Sequence, residues 1–148
     1  MTLVERIDKD LKTALLGGDK LKVITLRSLK NALLYARVAS KDHTLSDDDI
    51  LDTLSKEAKK RQESADIYLQ AHEDERAASE LREKQIIEEY LPAQLSAEEI
   101  EKIIEKTVAA LPDKEKNIGH VIAQVKSETR GAADGAIIAR LVKERLGR

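Results

Sequence analysis

Near the C-terminus, the stretch TRGAADG (Thr129–Gly135) sets an arginine, two glycines and an aspartate between two runs of helical pattern. Residues of these types in a turn can bind an anion. Backbone N–H groups at the start of a helix, with a cationic side chain beside them, form a receptor for phosphate or carboxylate. Arg130 is the cation of the turn, and Gly131 and Gly135 leave the backbone open to approach. Lys126 lies four residues earlier on the same helical face, and Arg140 and Lys143 stand on the helix that follows. RNA backbone phosphate is the natural ligand for such a set. The same letters also serve a purely architectural end, because Gly131 suits a left-handed helix terminus and Asp134 suits an N-cap.

Other chemistries find little support. The turn lacks the Lys-Ser/Thr that follows the second glycine of a nucleotide-binding P-loop. A helix-turn-helix would present polar side chains to base edges early in its second helix, yet that helix begins Ala136, Ile137, Ile138, so sequence-specific DNA readout is not expected. His43, His72 and His120 are isolated, and the acidic runs SDDDI and HEDE lack the alternating ligand spacing of a calcium loop; no metal and no cofactor is expected. There is no cysteine, no Ser-Lys-Ser arrangement and no ATP loop, so no catalytic residue is assigned. The charged run EAKKRQES reads as a solvated helix face with pairs such as Glu57 to Arg61.

These residues must be positioned by helices. Aromatic content is 2% with no Phe or Trp, and charged residues make up 36%, so the core is aliphatic and the composition is that of an all-α protein. Tyr35, Tyr68 and Tyr90 are read as half-buried packing residues whose hydroxyls reach water. No apolar run is long enough to span a bilayer, and a cytoplasmic location is the expectation. Charge is uneven along the chain. Residues 1–45 carry nine Lys/Arg against five Asp/Glu, residues 46–95 seven against fourteen, and residues 117–148 six against three.

Capping boxes at Thr2/Glu5 and Ser96/Glu99, and caps at Ser46, Asn117 and Asp134, mark helix starts. The first helix carries Leu3, Ile7, Leu11 and Leu15 as its apolar stripe and stops at Gly17-Gly18. The second places Leu26, Leu29 and Leu33 on one face, and the third keeps Ile50, Leu54, Ala58, Ala65 and Leu69 inward. A turn within AHEDERAASE leads to a fourth helix, which Leu91-Pro92 stops. Three further helices follow. The spacing therefore predicts two small helical domains: a four-helix domain over residues 1–92 and a three-helix domain over residues 96–148.

The residues EKQIIEEYLPAQLSAEEIEKII (83–104) and NIGHVIAQVKSETRGAADGAIIARLVKERL (117–146) resemble the YqeY family. LRSLKNAL (26–33), EAKKRQESADIY (57–68) and the Glu80/Glu83 pair fit its N-terminal domain. The most specific element is Tyr90-Leu91-Pro92, linked to the glycine-rich turn some forty residues on. Ala132 departs from the pattern, standing where members usually carry a second basic residue. The resemblance implies two all-α domains, the second similar to the tail of the GatB component of the glutamyl/aspartyl-tRNA amidotransferase. That tail helps to hold tRNA while the complex uses glutamine as amide donor, which gives the family its carbon–nitrogen ligase label. The expectation is a tRNA-associated accessory protein without an active site of its own. It would contact RNA backbone through Lys126, Arg130, Gly131, Gly135, Arg140 and Lys143. The competing expectation is a protein-interaction module that docks a partner through its acidic helical segment or a groove between domains.

Overall fold

In a computed structural model that describes residues 1–147, the chain forms seven α-helices and, among those residues, no strand. They are α1 (Leu3–Gly17), α2 (Lys20–Ala39), α3 (Asp47–Gln70), α4 (Asp74–Glu88), α5 (Ala97–Ala110), α6 (Ile118–Thr129) and α7 (Gly135–Leu146). The chain divides into two compact units, Met1–Leu91 and Pro92–Arg148, each with its own apolar core.

Local chemistry sets the helix ends. Thr2/Glu5, Ser46/Asp49 and Ser96/Glu99 all close reciprocal capping boxes, which satisfy backbone donors that a helix start leaves open. Asn117 and Asp134 cap α6 and α7 with single side-chain bonds. Gly18 ends α1 in the left-handed conformation at φ 72°. The break between α3 and α4 is short: His72 takes φ 59°, and α4 already begins at Asp74, so most of the charged run after Ala71 is helical. That run has no capping side chain at Glu73. Its acidic first turn, Asp74 and Glu75, and its packing against α3 sustain the helix there.

The core of the first unit is built from Ile7 and Leu11 of α1, Leu26, Leu29 and Leu33 of α2, Leu54 of α3, and Ile87 with Tyr90. In the second unit, Ile100 and Ile104 of α5 meet Val121 and Val125 of α6 and Ile138, Leu141 and Val142 of α7. Each fully buried aliphatic side chain contributes about 1.5–3 kcal/mol, which offsets the absence of large aromatic anchors. Two apolar stripes end earlier than their spacing suggests. Leu15 is 49% exposed and Leu69 is 48% exposed, because both lie near the last turn of a helix, beyond the elements that would cover them.

Two polar features of the first unit depart from the sequence expectation. The Glu57–Arg61 pair does not lie on a solvated face. Glu57 is buried and the Arg61 side chain is only 14% exposed. The Arg61 guanidinium donates to Glu57 at 2.8 Å, to Glu83 of α4 at 3.2 Å and to Ser28 of α2 at 2.9 Å, joining three helices. Burial, and then the charge of Glu83, raise the Glu80 carboxyl above its ordinary value, with Arg61 pulling the other way. The tyrosines also divide. Tyr35 is 76% exposed and Tyr68 half-buried, whereas Tyr90 is 3% exposed, with its hydroxyl donating to Asp10 and Arg6 stacked 4.7 Å above its ring. The hydroxyl therefore meets a carboxylate rather than water.

Two stability measurements test this arrangement. Arg61→Ala takes the shared guanidinium from two half-dry carboxylates, of which Glu57 keeps Lys60 at 3.2 Å, and is expected to cost about 3 kcal/mol in urea unfolding, whereas a loss below about 1 kcal/mol would mean the trio is solvated. Burial, followed by the bond to Asp10, pushes the Tyr90 hydroxyl far above its ordinary value. Its contribution to stability is thus complete below about pH 10, the unfolded tyrosine value, and is lost as pH climbs beyond it. Tyr90→Phe is expected to be less stable than the parent at neutral pH, and the gap should narrow as pH rises above about 10. A gap of constant size across that range would contradict the assignment.

Candidate functional site

The turn between α6 and α7 begins where Thr129 is buried and its hydroxyl donates back to the Val125 carbonyl at 3.0 Å. Helical continuation would drive the chain away from α7, and the backbone instead turns left-handed. Gly131 has φ 88°, as its position suggests, but the left-handed step starts one residue earlier, at Arg130, with φ 40° and ψ 56°. A side chain in that conformation costs about 1–2 kcal/mol. The reversal brings Ala132 and Ala133 into buried positions, and Ala132 N–H bonds the Thr129 carbonyl at 2.9 Å. Asp134 then accepts from Ala136 N–H at 2.9 Å and starts α7.

A second segment clamps this reversal. The Gln94 side-chain amide donates to the Gly131 carbonyl at 3.0 Å and to the Pro92 carbonyl at 3.1 Å. Leu95 N–H bonds the Ala132 carbonyl at 2.8 Å. Two carbonyls that the turn would leave without partners are thus satisfied by residues just after Pro92. These bonds link the residues that follow Pro92 to the turn so far downstream. Sequence reading did not identify Gln94 and Leu95, and the one signal available was that long-range pairing of motifs.

The structure brings some of the expected anion-binding residues together and spreads others. Lys126, Arg130, Arg140 and Lys143 are all exposed. Lys126 lies across the first residue of α7: a Cβ built on Gly135 would stand 2.9 Å from Lys126 Cε and 3.1 Å from Nζ. One ammonium therefore sits at a helix N-terminus, beside the Arg130–Gly131 reversal. Arg140 pairs with Glu144 at 3.6 Å, which diverts part of its charge. At the helical rise, Arg140 and Lys143 stand about 7.5 and 12 Å along α7 from Gly135, too far for all four cations to share one phosphate. Two independent contact points fit better than a single niche. Ala132 is buried here and packs. His120 is tied to its cap, with Asn117 Nδ2 2.8 Å from Nδ1. Among the described residues, no group of three or more His, Asp or Glu is placed to hold a metal ion.

A family model described as "Yqey-like protein" matches residues 4–146. The chain is also similar to two fungal proteins, each named "Altered inheritance of mitochondria protein 41, mitochondrial". The one from Vanderwaltozyma polyspora is 29% identical over 114 residues, which is 76% of this chain and 62% of the relative. The one from Eremothecium gossypii is 34% identical over 96 residues, 64% of this chain and 52% of the relative. The chain thus spans less than two thirds of the length of these curated relatives. Their names place them in mitochondria and give the expectation of a cytoplasmic location no support.

The two glycines of the turn should respond differently to alanine. Gly131→Ala forces a Cβ into a positive-φ position and is expected to cost about 1–2 kcal/mol in denaturant unfolding. Gly135→Ala lies in helical backbone, where the new methyl meets only the flexible end of Lys126. It should be neutral or stabilising by up to about 1 kcal/mol, displacing the lysine. Equal losses at both positions would contradict the described turn.

Proposed function

The chain belongs to the Yqey-like family, and from that premise we propose that it is an accessory protein that contacts tRNA through backbone phosphates and contributes recognition rather than catalysis. The observation that carries this reading is Lys126 lying across Gly135 at the start of α7, beside the exposed Arg130. A phosphate there would meet an ammonium, a guanidinium and the positive end of a helix at once. Lys143, with Arg140 shared between RNA and Glu144, would engage a second phosphate further along the strand. The positive balance of residues 117–148 supports the same surface. The glutamine-dependent carbon–nitrogen ligase label belongs, on this reading, to a larger complex that supplies the chemistry. The two units act as separate domains, four helices followed by three, and the second is the RNA-contacting one. The separate cores support that division.

Phosphate-dominated binding falls steeply with salt, by about 0.7–0.9 logarithmic units of affinity per tenfold rise in salt for each phosphate neutralised. Filter binding of total tRNA across a salt series should therefore give the Lys126→Ala/Arg130→Ala protein, which loses one phosphate contact, a slope shallower by about 0.7–0.9 than the parent, with weaker binding at low salt. Indistinguishable slopes and affinities would remove the turn from the interface.

A further inference from the structure

The surface of α2 has a character unlike the rest of the chain. Its twenty residues include Lys20, Lys22, Arg27, Lys30 and Arg37 and no acidic residue. Among the described residues, eight of the twelve large apolar side chains that remain exposed belong to α1, α2 and the N-terminal Met1. On α2 the exposed residues Lys20, Ile24, Arg27, Asn31, Leu34 and Val38 recur at alternating spacings of four and three. That alternation keeps a seam straight along one face, as in helices that pair with another helix. Two grooves abut the seam. One, of about 300 Å³, is lined by Leu15, Ile24, Lys20 and Arg27. The other, of about 430 Å³, is lined by Val4, Leu34, Leu45, Ile50 and Arg37. Asp8 engages Lys30 at 2.8 Å, whereas Arg27 and Arg37 make no ion pair among the described residues.

We propose that the α2 seam is a docking site for an acidic amphipathic helix of a partner protein. Apolar side chains of that helix, spaced three and four residues apart, would fill the two grooves. Its flanking Asp or Glu residues would meet Lys20, Arg27 and Arg37. Ile24 to Val38 spans about 21 Å, so the partner segment needs about four helical turns. A second copy docked α2 against α2 fits poorly, because an acid-free helix then faces only like charge. Paired recesses also suit protruding side chains better than a flat lipid surface does. This surface belongs to the first unit and the α6–α7 turn to the second, and the proposal stands independently of RNA binding.

A displayed library of sixteen-residue amphipathic helices, selected on the intact protein, tests this directly. Enriched sequences are expected to be acidic around a three-four apolar stripe. Binding of such a peptide, read by fluorescence anisotropy, should weaken about tenfold or more with Leu34→Glu or Ile24→Glu and also with Arg27→Ala. It should be unchanged by Ile67→Glu, a comparably exposed position on α3. Circular dichroism confirms that these surface variants keep their helices. Four outcomes would overturn the proposal: no enrichment, enrichment of basic or uncharged helices, anionic vesicles binding through Leu34, or a concentration-dependent dimer abolished by Leu34→Glu.

Discussion

Lys126 can lie where it does only because the residue beneath it is glycine. A Cβ at position 135 would stand within 3 Å of the lysine Cε, closer than carbon atoms pack, so the absence of a side chain there leaves room for the ammonium group. A cation at a helix N-terminus opposes the helix dipole rather than complementing it. The acidic cap Asp134 offsets part of that cost, and an incoming anion would offset more. The proposed function rests on this local electrostatic tension.

The turn beside Lys126 is itself held in place. Two successive positive-φ residues, Arg130 and Gly131, are held by bonds from Gln94 and Leu95, and buried Ala132 and Ala133 fix the reversal to the core. The first unit follows a different logic. There, aliphatic packing is joined by a guanidinium shared among three helices and by a tyrosine hydroxyl set on a carboxylate. With no phenylalanine or tryptophan to lock helices in register, such directional contacts supply specificity that branched aliphatics alone provide weakly.

Much of this was legible in the sequence. The capping boxes at Thr2 and Ser96, the cap at Ser46 and the stop at Pro92 follow from backbone chemistry that acts within four residues, so spacing alone reveals them. The buried valines and isoleucines of α5 to α7 follow from periodicity. Ile118 and Ile137 are exceptions at 40% and 38% exposed, both in the first turn of their helices. What stayed hidden was whatever joins distant elements. Nothing local distinguishes Arg61 from its solvated neighbours Lys59 and Lys60, since its burial depends on where α2 and α4 arrive. Gln94 is an ordinary polar residue until Gly131 folds beneath it. Of the candidate site, the residue types and their spacing along α7 were readable, but the closeness of Lys126 to Gly135 required the fold.

Amide proton–nitrogen correlation spectra recorded during a low-salt titration with tRNA test the central claim most directly. Perturbations are predicted to concentrate on Thr129 to Ile137 and to reach Lys143. They should collapse in Gly135→Ala, where the lysine is displaced but the helix remains. Perturbations confined to the first unit, or a Gly135→Ala protein that responds as the parent does, would contradict it.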